Sequence, residues 1–136
     1  MRILLFILLG LVLSCGRNNN IELEIDRIRH QGDSDPLNAL SKLDSLEKVA
    51  DYTSEYEKRK AQLLRIRLKD KACVLASSDE GVKELIKYFG NKGTNTEKQE
   101  VYYYAGSVYR DLMDFPRSIE YFLRSTEFAQ NDNIDS

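Results

Sequence analysis

The sequence predicts an all-α fold built from antiparallel helix hairpins stacked side by side, and three observations lead there. Apolar residues recur every three or four positions from Ile21 to Ala129, the spacing that gathers them on one side of a helix. Two prolines and seven glycines are too few for the many turns of a strand sandwich, while Leu, Lys and Glu favour helix. The segments between periodic stretches are short, so successive helices must reverse, and each hairpin is too small to cover its own apolar stripe except against the next.

The first element in order is a leader, residues 1–14. Arg2 gives it a basic start, Ile3 to Leu13 an apolar run, and Ser14 a small end. Eleven helical residues reach roughly 16 Å, short of the ~20 residues that cross a bilayer, so the segment reads as a secretory leader rather than a span. It closes on Val12-Leu13-Ser14-Cys15, which resembles the bacterial lipobox, although Val12 and Leu13 depart from the usual residues. That resemblance implies a lipoprotein signal peptide and an acylated Cys15. Acyl chains, at ~0.8 kcal/mol per buried CH₂, would hold the protein on a membrane without a transmembrane helix. Gly16 to Asn20 is polar and turn-prone, so residues 15–20 are expected to be the lipidated Cys and a tether. No acidic residue follows Cys15 closely, which favours a cell-envelope location facing the periplasm.

Six helices are expected in the remaining domain, residues 21–136. The first, Ile21 to Arg29, carries Ile21, Ile25 and Ile28 and stops near Gly32. Asp35 and Pro36 open the second as N-cap and first helical residue, and Ala39, Leu40, Leu43, Leu46 and Ala50 form its stripe. The third, Ser54 to Val74, stacks Ala61, Leu64, Leu68, Ala72 and Leu75 opposite a basic face expected to be solvated. Ser77-Ser78-Asp79-Glu80 has the form of a capping box for the fourth, with Val82, Leu85, Ile86 and Phe89 before a stop at Gly90. After a loop over Asn91 to Asn95 the fifth shows Val101, Ala105, Val108 and Leu112 on one face. Asp114 and Pro116 start the sixth, which presents Ile119, Phe122 and Leu123 and runs to about Ala129. Cys73, within an apolar stretch, reads as a buried free thiol.

Composition excludes several functions. A net charge of -2 without a basic stripe lacks the footprint of phosphate-backbone binding, so no nucleic acid is expected on this segment. His30 is the single histidine and has no ligand-spaced neighbour, so no metal or cofactor is expected. No phosphate loop and no nucleophile with a base in frame is visible, and the scattered carboxylates suit solvated faces, so the chain does not read as an enzyme.

Gln99 to Asp132 resembles the 34-residue tetratricopeptide repeat. Tyr102 stands at the usual Trp site, Gly106 at the small site, Tyr109 at the aromatic site, and Asp114-Phe115 at the turn. Ser118, Phe122 and Ser125 complete the frame, with two Ser in place of Ala and Ala105 in place of Leu. Gly81 with Leu85, and Ala39 with Leu43, could repeat the sites of Ser118 and Phe122 at spacings of 37 (118 less 81) and 42 (81 less 39), longer than the repeat allows. The resemblance implies a short right-handed solenoid in which Tyr102, Tyr109 and Phe122 fill gaps between hairpins. With the leader and the run Tyr102 to Leu112, the whole is similar to tetratricopeptide lipoproteins and regulators of Bacteroidales type.

In that family the inner face of each first helix lines a groove. The matching positions are Glu100, Tyr103, Ser107, Arg110 and Asp111, the candidate binding residues. Tyr and Arg are residue types that dominate binding hot spots. Tyr103 and Ser107 break the family's clamp for acidic peptide ends. The expected function is thus a membrane-anchored scaffold or sensor module that binds a protein or peptide. The alternatives are a glycan or small-molecule binder using Tyr103 and Tyr104, and the sensory front of a longer transcriptional regulator. Phe122, Leu123 and Phe128 cannot all face the fifth helix, so further repeats or self-association are expected at the C-terminal face.

Overall fold

The structure, a computed structural model, describes residues 21–131. The predicted leader, Cys15 and the tether lie outside them. Six helices follow in order: α1 over residues 21–31, α2 Pro36–Val49, α3 Glu55–Lys71, α4 Glu80–Lys92, α5 Asn95–Asp111 and α6 Phe115–Asn131. No strand occurs among the described residues. Short polar side chains start the helices by accepting otherwise orphaned N–H groups. Asp35 accepts from the Asn38 N–H at 3.2 Å, Ser54 from Glu57 at 3.1 Å and Asp114 from Arg117 at 3.3 Å. Thr94 and Glu97 close a reciprocal capping box on α5, a Thr-x-x-Glu signal the sequence carries inside what reads as a loop.

Two helix ends differ from expectation for identifiable reasons. α3 stops at Lys71 rather than Val74 because Cys73 takes a left-handed conformation at φ 57°. The Val74 N–H then reaches back to the Lys69 carbonyl at 2.8 Å and the Cys73 N–H to Asp70 at 3.1 Å, the paired bonds of a Schellman stop. Cys73 is therefore exposed rather than buried, and Leu75 leaves the stripe for solvent. Met113, at φ 61°, ends α5 with the same pair of bonds. α4 instead runs through Gly90 to Lys92. Its expected capping box does not form, since no side chain caps it.

Contacts fix the directions of the helices. Ser118 and Ser125 of α6 donate to the carbonyls of Gly106 and Gln99, each at 2.8 Å, so the register runs backward and the α5–α6 pair is antiparallel. Tyr109 meets Asp79 while Tyr102 lies beside Gly90, which makes α4 and α5 antiparallel as well. In contrast, Lys60 pairs with Glu22 and Asp26, and Arg67 with Asp33, so α1 and α3 run the same way.

The core divides in two. Ile25, Ile28, Leu43, Ala61, Leu64 and Leu68 join α1, α2 and α3 in an aliphatic cluster. Gly32 sits so close to Leu68 that any side chain there would collide with its Cδ2. Leu63, Leu85, Phe89, Val101, Tyr102 and Tyr104 join α3, α4 and α5 in a cluster rich in rings. Tyr121 of α6 stacks on Tyr102 and Tyr109 with centroids 6.0 and 5.5 Å away, and Phe128 stacks on Tyr102 at 5.6 Å. Tyr102 and Tyr109 thus do sit between α4 and α6. Phe122 fills a different gap, inside its own hairpin, where a Cβ on Gly106 would lie only 2.7 Å from its ring. α6 turns Ser118, Tyr121 and Ser125 inward, whereas Ile119 points to solvent, as does Leu123, one of the three apolar residues that were not all expected to face α5.

Candidate functional site

The α3 basic face is not the solvated surface expected of it. Its cations bridge to every neighbouring element: Lys60 to α1, Arg65 to Asp44 and Glu47 of α2, Arg59 to Glu84 of α4, and Arg67 to Glu100 of α5. Arg67 and Lys71 both hold Asp33, and the Arg67 hydrogen bond, with that of Lys71, draws the Asp33 carboxyl below its ordinary range.

These bridges absorb part of the predicted groove. Arg29 Nη2 donates to Glu100 Oε2 at 2.9 Å, and Arg29 Nη1 lies 2.8 Å from Oε1 as an ion pair, with Arg67 3.6 Å away. Arg110 reaches Asp70 at 3.0 Å and Asp111 at 2.9 Å, and the Asp111 and Asp70 carboxylates raise its pKa further. Asp111 also accepts the Ala76 N–H at 3.0 Å, pinning the connection between α3 and α4. Three of the five candidates therefore tie α5 to its neighbours.

Four of the five divide between two hollows, and Arg110 lines neither. Glu100 and Tyr103 border a shallow one of about 230 Å³ with Arg29, Arg67 and Gln99. Ser107 and Asp111 border a cavity of about 330 Å³ under the α3–α4 connection. Tyr103 is exposed, with its ring set edge-on against Tyr104 and Phe122 at 5.1 and 5.4 Å. Tyr104, by contrast, is buried, and burial pushes its hydroxyl up to about 12, so the two tyrosines form no open aromatic platform. Tyr109 donates to Asp79 at 3.1 Å, and burial together with that carboxylate lifts it to about 12. Lys83 and Tyr109 in turn hold the Asp79 carboxyl low.

Tyr102, Gly106, Tyr109, Ser118 and Ser125 are buried, and Phe122 is partly so. Ser118 and Ser125 are more than small spacers, because each hydroxyl ties α6 to an α5 carbonyl, worth about 1 kcal/mol apiece.

Two surfaces escaped the groove expectation. On α6, Phe115, Ile119 and Leu123 lie four residues apart and are 49%, 60% and 60% exposed, an unbroken apolar line along a helix whose other side is packed. Its signal was present in the i, i+4, i+8 spacing, but the same residues also fit an inward stripe. The cavity under the α3–α4 connection is the other, and its signal was the apolar pair Val74-Leu75 immediately after the helix stop. Among the described residues no three His, Cys, Asp or Glu gather as a metal site, and no helix is long and apolar enough to cross a membrane. Comparison with protein-family models, curated proteins and solved structures gave no match to the chain.

Proposed function

We propose that the chain is a non-catalytic interaction module of the bacterial cell envelope, anchored through an acylated Cys15, whose helical hairpins hold out a surface for a protein partner. The observation that carries this reading is the apolar line Phe115, Ile119 and Leu123 on α6. Its exposure beside a well-packed interior is a cost that a bound partner removes. Tyr103 extends the same surface, since its ring leans on Phe122, which lies one turn along α6 from Ile119.

The solenoid reading supports it. α1 runs parallel to α3, while α5 is antiparallel to both α4 and α6, the arrangement in which tetratricopeptide-like hairpins pile up and leave one flank for the next element. The terminal flank here is the outer side of α6. A following repeat of a longer natural protein, or a separate partner, would cover it in the same way. The glycan alternative through Tyr103 and Tyr104 loses support because Tyr104 is buried.

Photo-crosslinking residues placed at Ile119 and, as a control, at exposed Lys87 of α4 test the reading in envelope membranes. A discrete adduct from Ile119 and none from Lys87 is expected. Equal, diffuse labelling from both would refute a dedicated surface on α6.

A further inference from the structure

The hairpin α5–α6 can be laid over the hairpin α3–α4, and the overlay identifies what the exposed surface of α6 is shaped to receive. α3 and α5 correspond at an offset of 40 residues: Ser54 and Thr94 cap them, and Cys73 and Met113 are the left-handed residues behind them. α4 and α6 correspond at 37 (122 less 85), because Leu85 shares a cluster with Leu63 as Phe122 shares a ring contact with Tyr103, and Tyr103 stands 40 residues past Leu63 (103 less 63). Under these offsets Tyr103, Ile119 and Leu123 match Leu63, Val82 and Ile86.

The matched residues differ in what lies on them. Leu63 and Val82 are 4% and 1% exposed and Ile86 is partly buried, whereas Tyr103, Ile119 and Leu123 are 46%, 60% and 60% exposed. The first set is covered by α5. Val82 and Ile86 pack with Ala105 and Val108, and Leu63 clusters with Val101 and Tyr104. α5 lies antiparallel on α4, with the Tyr109 hydroxyl on Asp79 at one end and Tyr102 beside Gly90 at the other. The open surface of α5–α6 therefore repeats one that, elsewhere in the same chain, is closed by a single helix with small residues at its centre and a tyrosine towards each end.

Charge narrows the occupant further. At about 3.6 residues per turn, Ser118, Phe122 and Ser125 lie on the α5 side of the apolar line, and Glu120 and Glu127, both exposed, border its other side. Arg117 and Arg124 lie further round, over the rings of Tyr109 and Tyr102. Arg124 reaches back to Glu120 at 3.4 Å, and Glu127 has no ion pair among the described residues. Two copies of α6 laid antiparallel along the line would set these carboxylates against their own counterparts, which disfavours self-pairing. The α2–α3 junction shows how the chain meets an acidic border: Arg65 of the covering helix pairs with Asp44 and Glu47 at 2.7 and 2.6 Å.

Resting on the reading of α6 as a partner surface, we propose that the partner is an amphipathic helix. It lies antiparallel to α6, sets a small residue over Ile119, and turns a basic border towards Glu120 and Glu127.

Peptides built on the α5 pattern test this against the purified full chain. One keeps Val101, Tyr102, Ala105, Val108 and Tyr109 in a helical host with lysine at the bordering positions, a second has glutamate at those positions, and a third is the first with Ala105→Pro. Fluorescence anisotropy should show saturable binding of the first, about fivefold weaker binding of the second and none of the third. Ile119→Lys in the chain should abolish binding while Tm holds, since the site is exposed, and Glu127→Lys should reverse the charge preference. With Phe115→Cys in a Cys73→Ser chain, a cysteine at the C-terminal end of the peptide should form the disulfide and one at the N-terminal end should not. Equal affinity for the lysine and glutamate peptides, a preference that Glu127→Lys leaves unchanged, undiminished binding of the proline peptide, or a disulfide to the N-terminal cysteine would overturn the proposal. So would a chain dimer in sedimentation that Ile119→Lys dissolves, which would assign the surface to a second copy. The two possible failures stay distinct: an Ile119 adduct in membranes without peptide binding keeps the partner surface and removes the helix, whereas absence of the adduct removes the surface itself.

Discussion

The two halves of the molecule are held together by different means. Around α1, α2 and α3 the core is aliphatic, and the helices are laced by ion pairs from Lys60, Arg65 and Arg67. Around α4, α5 and α6 the core is stacked rings, and the lacing is by neutral hydroxyls: Ser118 and Ser125 to α5 carbonyls and Tyr109 to Asp79. Flexible aliphatic side chains can give way by a few tenths of an ångström, whereas flat rings in contact on both faces cannot. The C-terminal half is therefore the more exacting in shape, and it also carries the exposed apolar line on α6.

A matched pair of glycines gives the largest expected contrast. Gly106→Ala drives a methyl into the Phe122 ring, and even after the ~1 kcal/mol that Ala gains over Gly in a helix it should cost about 2 kcal/mol. Gly32→Ala presses on the movable tip of Leu68 and should cost less than about 1 kcal/mol. Urea denaturation midpoints measure both, and equal losses would erase the distinction between the halves.

Alkali should separate the halves next. Tyr56, Tyr104 and Tyr109 all touch the ring-rich side, and burial first, then nearby carboxylates for Tyr56 and Tyr109, raises each from 10 to about 12. A folded pKa above the unfolded one means their contribution to stability is complete below pH 10 and is lost as pH rises to about 12. Tyrosinate absorbance and near-ultraviolet dichroism should change together over that window. Independent titration of these tyrosines near pH 10 would contradict their burial.

The smallest effect concerns the two shared turns. Cys73→Gly and Met113→Gly relieve a left-handed conformation that costs a side-chain-bearing residue roughly 1–2 kcal/mol. Against that stands the greater freedom glycine gains in the unfolded chain, so each should stabilise by about 0.5–1 kcal/mol. A fall in Tm for either would remove the shared-turn correspondence.

Helix periodicity was legible because each stripe repeats one physical requirement several times over. Ile25 and Ile28, Leu64 and Leu68, and Val82 and Leu85 are all buried where the spacing put them. The Gly106 site was legible too, since only a residue without a side chain fits under Phe122. Single-residue events were not. Nothing about Cys73 announces a left-handed turn in the way glycine would, so α3 was read three residues too long and Cys73 was placed in the core. The basic face of α3 was misread for a similar reason: solvated and bridging arginines have the same sequence, and the difference lies in which carboxylates the fold brings near. The partners of Glu100 and Arg110 on α1 and α3 were not legible either, because no single-helix reading contains them.

The most direct test concerns the apolar line on α6 in its native setting. Leu123→Cys, in a chain whose exposed Cys73 is replaced by Ser, can be labelled with a maleimide in the purified protein and in intact envelope membranes. We expect fast labelling of the purified chain and strong protection in the membranes, reversed when Ile119→Ser is added to weaken partner binding. Equal labelling in both settings would show that nothing covers this surface.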